Sequence, residues 1–296
     1  MQDINFELYK VFYEVATSRS FTVAAKNLYV SQSAISQSVK TLEEKLGQPL
    51  FIRTTKSVKL TFAGEILFSH IEPALHLITQ GQKRISEENS LKGGQLSIGA
   101  SDTICRYVLL PYLQKFHKLY PMVSIKVTNQ TSLKCVDLLN EGKVDCILTN
   151  TPNSRLSGDF HTTKVYTFED TFVAGNGYKD LKERTLTLKE LLDYPILMLD
   201  SASTTSEFLH NLFLQNGLQL VPEIELGSND LLIELAKINL GIAFVPNYCI
   251  PAHEDNLFVV KTKTRLPKRH IVAATGSLVP NSPVVEAFLN LLPNAD

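Results

Sequence analysis

The chain has 296 residues, of which 44% are apolar and 20% are charged, with 29 basic and 30 acidic side chains. This length and near-average composition predict two or more globular domains and exclude a disordered, collagen-like or coiled-coil-only protein. Four Cys without a CxxC pair do not indicate a disulfide framework, and the apolar runs are far shorter than the roughly 18 residues of a membrane helix. The polar N-terminus shows no export signal, so we expect a soluble, cytoplasmic protein without membrane contact. A net charge of −1 argues, taken alone, against a nucleic-acid partner.

The charge, however, is distributed unevenly along the chain. Residues 1–64 contain 8 Lys or Arg and 5 Asp or Glu, a balance of +3, whereas residues 65–296 contain 21 and 25, a balance of −4. The basic segment also has the periodicity of three short helices, followed by two short strands. The helices are predicted from Ile4 to Val15, from Val23 to Leu28 after a Ser20 cap, and from Ser31 to a stop at Gly47; the strands are predicted at 50–53 and 58–60. This order predicts a winged helix-turn-helix.

The exposed face of the third helix is the candidate DNA-reading surface. Its small hydroxyls and amides suit the major groove, where Gln can bond adenine and Ser can bond several base edges. Basic residues of the wing would meet phosphates. The alternative is a generic three-helix bundle with a polar face. The candidate DNA-binding residues are Ser31, Gln32, Ser33, Ser36, Gln37, Lys40, Arg53 and Lys56, with Lys59 as a further phosphate contact.

A series of short motifs runs without a gap through about 45 residues of this segment. The motifs are Ser20-Phe21-Thr22 with Ala24-Ala25, Ser31-Gln32-Ser33-Ala34-Ile35-Ser36, Leu42-Glu43, Leu46-Gly47, Leu50-Phe51, Arg53, and Leu60-Thr61 with Ala63-Gly64. Together they resemble the N-terminal signature of LysR-type transcriptional regulators. Many members of that family carry Arg directly after the recognition-helix Ser, where this sequence has Gln37, so their base preferences do not transfer.

A long helical pattern runs from Thr61 to about residue 89. Its apolar residues approximate a heptad seam, which must pack on a second chain or on the DNA-binding domain. The resemblance implies a dimerisation linker; an intrachain packing helix is the alternative. Pro73 lies inside the pattern and should kink or divide the helix.

The rest of the chain alternates strands and helices, which predicts parallel βαβ units. Strands are predicted at 95–100, 123–128, 144–149, 171–174, 196–199, 223–226, 242–245 and 269–275, and helices at 103–119, 132–141, 204–216, 230–239 and 283–292. Two α/β lobes joined near residues 160–165 and 264–268 resemble the periplasmic-binding-protein-like effector domain of the same family. The predicted fold class is therefore α+β multidomain. Its domains are a winged helix-turn-helix at 1–60, a linker helix at 61–90 and a two-lobed α/β effector domain at 91–296, with lobe I at about 91–162 and 267–296 and lobe II at about 163–266.

Hydroxyl and amide side chains cluster where the predicted strands end. Ligands of open α/β sheets bind at the carboxyl ends of the strands, against helix N-termini, so these residues predict a polar pocket between the lobes. Helix capping is the better explanation of any single cluster, but five clusters at one edge of the sheets favour a pocket. The resemblance places the effector here, and the candidate residues are Ser101, Thr103, Thr131, Thr149, Asn150, Ser201, Ser203, Thr204 and Ser228. A small organic acid or an amino-acid-like metabolite is the expected ligand.

Other chemistry has little support in the sequence. The seven His form no HExxH motif, and no GxSxG or Walker A motif is present, so we expect no catalytic residues, no metal and no cofactor. The four Cys could include a redox pair, because some LysR-type members sense oxidants through thiols, but small buried apolar packing explains them better.

The sequence thus predicts a DNA-binding transcriptional regulator, modulated by a small effector, that acts as a homodimer or dimer of dimers. Its expected partners are double-stranded DNA with an interrupted palindromic operator, the effector, and RNA polymerase. Two alternatives from other classes remain. The protein could be a small-molecule binder whose N-terminal bundle serves only assembly, or an enzyme built on the α/β lobes.

Overall fold

The structure, a computed structural model, describes residues 4–53, 57–86, 93–158, 160–252, 254–277 and 279–295. The chain divides into two compact units, Met1–Ser86 and Glu87–Asp296. Within the described residues, no helix is long and apolar enough to cross a membrane.

The first unit is the predicted winged helix-turn-helix followed by one long helix. Its elements are α1 (Phe6–Ser18), α2 (Phe21–Asn27), α3 (Gln32–Leu46), β1 (Phe51–Arg53), β2 (Val58–Leu60) and α4 (Phe62–Ser86). Asn5, Ser20 and Ser31 cap the first three helices by accepting a hydrogen bond from a first-turn N–H group. The strands pair antiparallel, with Phe51 opposite Leu60. The predicted order of elements is therefore confirmed.

A small aromatic core holds the three short helices together. Phe12, Ile35 and Leu42 are fully buried, one from α1 and two from α3. The Phe51 ring at the start of the wing lies 5.3 Å from the Phe12 ring and 5.8 Å from the Phe21 ring. The wing is thus packed against the helices by its first residue, which fixes where the hairpin leaves the domain.

The carboxylate of Glu43 ties the recognition helix to the wing. Its Oε1 accepts hydrogen bonds from the backbone N–H groups of Leu50 at 2.7 Å and Phe51 at 3.2 Å. The next connection is equally specific, because Thr61 N donates to Leu50 O at 2.9 Å and the Thr61 hydroxyl accepts from Gly64 N at 3.0 Å. Charged acceptors make stronger hydrogen bonds than neutral ones, so Glu43 holds the wing in one register.

Helix α4 runs for 25 residues and continues through Pro73 without interruption. Of the two predicted outcomes, a divided helix is therefore wrong. Its first half packs on α1, where the Phe68 ring stacks on Tyr13 with 5.8 Å between centroids. Ile66 in this half and Ile78 in the second half remain 48% and 43% exposed. The helix therefore keeps apolar surface that the three short helices do not cover.

The second unit contains two mixed sheets. The first has the strand order β4-β3-β5-β13-β6, and the second has the order β10-β9-β11-β7-β12-β8. The strands of the first sheet are β3 (Gln95–Ala100), β4 (Ser124–Asn129), β5 (Cys146–Thr151), β6 (Phe160–Phe168) and β13 (Arg269–Gly276). The strands of the second are β7 (Asp170–Gly175), β8 (Thr185–Leu186), β9 (Ile196–Leu199), β10 (Ile224–Leu226), β11 (Ile242–Pro246) and β12 (Leu257–Thr262). The predicted parallel units are confirmed, since β3 pairs parallel with β4 and β5, and β9 with β10 and β11.

Helices cover both sheets. They are α5 (Asp102–Ile104), which continues through the π-helical turn Cys105–Leu109 into α6 (Leu110–Leu119), then α7 (Ser132–Asn140), α8 (Leu188–Leu191), α9 (Thr204–Gln215), α10 (Asn229–Lys237) and α11 (Pro283–Leu289). Each sheet has its own buried core, one around Phe116, Phe168 and Phe288 and the other around Phe172, Phe213 and Phe244. The unit therefore consists of two lobes, each built around one sheet.

The crossing predicted near residues 160–165 is wrong. Phe160–Phe168 is one continuous strand, β6, which pairs with β13 along its whole length at the edge of the first sheet. The chain leaves this lobe at Glu169 and returns through residues 263–268. Only Val165 and Phe168 of β6 are buried. The sequence of this edge strand therefore lacks the alternation of apolar and polar residues by which a strand is predicted. The short α8 and the strands β8 and β12 are also absent from the sequence prediction.

We expect Gly64→Ala to destabilise the first unit. A Cβ at Gly64 would lie 2.2 Å from the Leu50 carbonyl oxygen, a backbone atom that cannot move without disturbing the wing. Overpacking of this kind costs about 1–3 kcal/mol, which urea unfolding of the first unit would measure.

Gly81→Ala in the same helix is the matched control, because a Cβ there meets no atom within 4 Å. It should be neutral or stabilise the helix by up to about 1 kcal/mol. Equal destabilisation by the two substitutions would contradict the close approach of α4 to Leu50.

Candidate functional site

A polar cavity of about 250 Å³ lies between the two lobes of the second unit, where strands end and helices begin. Strands β3, β4 and β5 of one lobe and β9 and β10 of the other lead into it, as expected for an open α/β sheet. Its lining consists of Ser101, Asp102, Thr103, Asn129, Gln130, Thr131, Ser132, Asn150, Leu199, Asp200, Ser203, Thr204, Thr205, Gly227 and Asn229.

Six of the nine predicted effector residues line this cavity. They are Ser101, Thr103, Thr131, Asn150, Ser203 and Thr204. Three of them also cap helices: Ser101 caps α5, Thr131 caps α7 and Ser203 caps α9. Capping and lining are therefore not exclusive explanations, because these three residues do both.

Three predicted residues do not line the cavity. Thr149 is fully buried, and its hydroxyl donates to the Ser132 carbonyl at 3.3 Å and accepts from Asn153 Nδ2 at 2.8 Å. Successive side chains of a strand point to opposite faces, so Asn150 lines the cavity and Thr149 does not. Ser228 caps α10 by accepting from Leu231 N at 3.3 Å, and Ser201 is exposed in the turn before α9.

The cavity also contains residues outside the predicted set. Asp102, Asn129, Gln130, Ser132, Thr205 and Asn229 belong to the polar clusters at the predicted strand ends, but Leu199, Asp200 and Gly227 do not. The sequence signal that identifies Asp200 is its position, directly after the buried strand β9.

Three hydrogen bonds join the lobes beside the cavity. Asn229 Nδ2 donates to the Thr103 hydroxyl at 3.0 Å. Arg106 Nη1 and the Tyr107 hydroxyl both donate to the Asp230 carboxylate, so α10 is tied to the helical turn after β3. Burial, followed by the hydrogen bond to Asp230, raises the pKa of Tyr107, which keeps its hydroxyl protonated as the donor. Arg106 is thus engaged with Asp230 beside the cavity.

A buried ion pair connects the lobes behind the cavity wall. Arg269 begins β13 of one lobe and Asp170 begins β7 of the other, and their side chains are 1% and 0% exposed. Arg269 Nη1 donates to Asp170 Oδ2 at 2.7 Å and to the Thr205 hydroxyl at 3.2 Å, and Nη2 donates to the Thr204 hydroxyl at 3.3 Å. Burial raises the pKa of Asp170, and the adjacent guanidinium acts in the opposite direction. The guanidinium therefore holds two hydroxyls of the cavity-lining first turn of α9.

The cysteines pack as small apolar residues. All four are free, and Cys135, Cys146 and Cys249 are buried. Burial, with a smaller contribution from Asp102, raises the pKa of Cys105 to about 11, and burial raises that of Cys135 to about 12. The thiolate is the reactive form of Cys, so these surroundings favour packing over redox chemistry.

The predicted DNA-reading face lies on α3. Gln32, Ser33, Gln37 and Lys40 are exposed on the helix, and Ser36 is half-buried. Ser31 caps the helix and its hydroxyl lies 2.9 Å from that of Ser33. Gln32 Oε1 accepts from the Thr22 hydroxyl at 3.3 Å, and Lys40 pairs with Glu44 at 3.6 Å in a surface ion pair that a phosphate could replace.

The wing supplies the remaining predicted contacts. Lys59 is exposed on β2. Arg53 has its backbone in β1, opposite Val58, whereas its side chain and all of Lys56 lie outside the described residues.

Two family models match the chain. Residues 89–295 match the LysR substrate binding domain, and residues 6–65 match the bacterial regulatory helix-turn-helix protein of the lysR family. Together they span both units.

Curated relatives match over most of the chain. The HTH-type transcriptional activator CmpR of Synechocystis is 26% identical over 84% of this chain and 81% of its own length. A probable RuBisCO transcriptional regulator of Cyanidioschyzon merolae is 27% identical over 88% of both proteins.

Solved structures share the fold over almost the full length. A full-length OxyR point variant from Pseudomonas aeruginosa has a TM-score of 0.69 at 19% identity, covering 98% of this chain and 94% of its own. CbnR complexed with its target DNA has a TM-score of 0.66 at 18% identity, covering 98% of this chain and 99% of its own.

We expect Arg269→Met to destabilise the second unit by about 3–5 kcal/mol, because it leaves the Asp170 carboxylate buried without its partner. Chemical denaturation, followed by circular dichroism, measures the change. Arg184→Met is the matched control, since Arg184 is 49% exposed and pairs with Glu190 at 3.8 Å.

Breaking an exposed pair of this kind costs far less, because solvent screens the two charges. If Arg269→Met lowered the free energy of unfolding no more than Arg184→Met does, the structural role of the buried pair would be contradicted.

Proposed function

The chain belongs to the LysR family of transcriptional regulators, and from that premise we propose how its two units act. It is a DNA-binding regulator with an N-terminal helix-turn-helix domain and a C-terminal effector-binding domain, and not an enzyme. We propose that α3 reads an interrupted palindromic operator and that the cavity between the lobes binds the effector. The observation that carries the proposal is this cavity, formed where four helices, α5, α7, α9 and α10, begin.

DNA reading is assigned to the exposed residues of α3. Gln32 and Gln37 have amides able to bond adenine edges, whereas Ser33 and Ser36 are short enough for a close approach of the helix to the groove floor. Ser31 would contact the DNA backbone from the helix N-terminus, where N–H groups favour phosphate. Lys40, Lys59 and the wing residues Arg53 and Lys56 would neutralise phosphates.

We propose that the regulator acts as a homodimer or a dimer of dimers. The N-terminal segment has a surplus of only three positive charges, and affinity for DNA grows with the number of phosphates neutralised. Two copies related by a two-fold axis double that number and read both halves of a palindrome. The exposed Ile66 and Ile78 of α4 support pairing through this helix, because an apolar stripe is stabilised by a second copy.

The effector site is assigned to the lining of the cavity. Ser101, Thr131, Asn150, Ser203 and Thr204 bring hydroxyls and an amide from both lobes, so a ligand that contacts them all favours one arrangement of the lobes. The expected ligand is a small organic acid or an amino-acid-like metabolite, consistent with a cavity of about 250 Å³. Effector binding would alter the spacing of the DNA-binding domains, and through it contact with RNA polymerase. We propose that this action takes place in the cytoplasm, where the regulator would meet its operator.

We expect Gln32→Ala to weaken binding to the promoter DNA next to the protein's own gene by about tenfold, and to leave binding to a shuffled sequence nearly unchanged. Arg53→Ala should instead weaken both about equally and flatten the salt slope by about 1, because a phosphate contact is sequence-independent. Gel shift at several salt concentrations measures both effects.

Gln114→Ala, which changes an exposed Gln of the other unit, is the matched control and should bind both DNAs like the wild type. Equal losses on promoter and shuffled DNA for Gln32→Ala would contradict base reading by α3.

A further inference from the structure

The cavity is acidic, which is unusual for a site that holds an organic acid. Asp102 and Asp200 are both part of its lining. All fifteen lining residues are described, and none of them is Lys, Arg or His. The nearby Arg106 donates to Asp230 at 2.9 Å and is 60% exposed. A ligand therefore meets two carboxylates and no basic side chain in the lining.

Each of these carboxylates uses one oxygen within the protein. Asp102 Oδ1 accepts from Asn129 Nδ2 at 3.1 Å, and Asp200 Oδ1 accepts from Ala202 N at 3.0 Å. Asp200 Oδ2 lies beside Gly227, which has no side chain to cover it. Among the described residues, the second oxygen of neither carboxylate accepts a hydrogen bond. These oxygens are available to a ligand that carries hydrogen-bond donors.

Two buried amides of the lining are also incompletely bonded. Asn150 and Asn229 are 7% and 5% exposed, and the Oδ1 atom of each is buried without a partner among the described residues. Buried acceptors are normally hydrogen-bonded, so leaving these two Oδ1 atoms unbonded costs free energy when no ligand is present. Asn229 already donates through Nδ2 to the Thr103 hydroxyl, so what it lacks is a donor. The lining thus has more acceptors than the protein itself satisfies.

The helix N-termini supply the opposite charge. Helices α7, α9 and α10, of 9, 12 and 9 residues, begin at the cavity. The N-terminus of a helix has a partial positive charge and N–H groups without intrahelical partners, which favour an anionic group. The cavity therefore offers places for one anionic and one cationic group, the second beside Asp102 and Asp200.

We propose that the effector is an amino-acid-type zwitterion, with an ammonium group received by Asp200 and Asp102 and a carboxylate received by the helix N-termini. This inference rests on the proposed function, in which the cavity is the effector site. Asp200 and Asp102 then determine specificity, because a dicarboxylate or an inorganic dianion would place its second negative charge against two carboxylates without a counter-ion. Because the ammonium makes charge-assisted hydrogen bonds, an amino acid should bind with an affinity about tenfold or more higher than the acid that lacks this group.

The test compares pairs of ligands that differ only in this group. The full-length chain is titrated with proteinogenic amino acids and with their α-hydroxy acid counterparts, such as alanine with lactate, serine with glycerate, and aspartate with malate. Succinate and sulfate serve as dianion probes. Thermal shift identifies the ligands that bind the folded state, and calorimetry measures their affinity. We expect at least one amino acid to raise the melting temperature and its hydroxy acid to bind about tenfold or more weakly.

Asp200→Asn tests the assignment of the ammonium. Asn keeps an oxygen that can accept from Ala202 N but removes the charge, so the affinity for the responding amino acid should fall about tenfold or more. Asp193→Asn, at an exposed position of the same lobe, is the matched control and should leave affinity unchanged. Asp102→Asn is the second variant, and the unliganded melting temperature of each variant reports whether it folds.

Three results would overturn the proposal. They are a hydroxy acid or dianion that binds more tightly than the matched amino acid, a responding amino acid whose affinity is unaffected by both Asp→Asn variants, and a set of probes in which none binds. The first two leave the cavity as an effector site and contradict only the zwitterion. The third, if a wider metabolite library is also without effect, contradicts the proposed function as well.

Discussion

The ion pair between Arg269 and Asp170 is the interaction on which the effector unit depends. Removing two charges from water is costly, and attraction alone does not repay that cost unless the remaining donors and acceptors are bonded. Here the guanidinium also donates to Thr204 and Thr205 and lies over the rings of Phe168 and Phe208, at 5.3 and 4.8 Å. Arg269 Nε and Asp170 Oδ1 are buried without a partner among the described residues, so part of the cost is not repaid. The three hydrogen bonds that the guanidinium makes orient it toward Asp170 and the first turn of α9. Because Arg269 belongs to one lobe and its partners to the other, the same hydrogen bonds fix how the lobes meet.

The first turn of α9 connects this ion pair to the cavity. Thr204 and Thr205 line the cavity in the first turn of α9, and their hydroxyls accept from Arg269 on the inner side. A ligand that bonds this turn therefore acts on the segment that the interlobe pair holds. The tie between α10 and the turn after β3, through Asp230, is a second connection between the lobes. If the cavity binds the effector as proposed, these hydrogen bonds link binding to the arrangement of the lobes.

The sequence predicts the local features of this molecule well. The caps Ser20 and Ser31, the stop at Gly47 and the apolar faces of α1 and α3 depend on residues within a few positions of each other, and the structure confirms them. Six cavity residues were predicted because strand ends and helix starts can be located locally. Thr149 was misplaced because a difference of one residue in a strand reverses the direction of the side chain.

The long-range features could not be predicted in the same way. Arg269 and Asp170 are 99 residues apart, and neither carries a local pattern that identifies its partner. The polar edge strand β6 lacks the apolar alternation of a strand, so its end at Phe168 and the crossing at Glu169 were missed.

Hydrogen exchange at the first turn of α9 tests most directly whether Arg269 holds the cavity wall. Amide protection of residues 204–208 is compared between the wild type and Arg269→Met, with the N-terminus of α7 in the other lobe as internal reference. The account predicts that protection falls at α9 and is retained at α7, under conditions where the variant is folded. Unchanged protection at α9, or an equal fall at both helices, would contradict it.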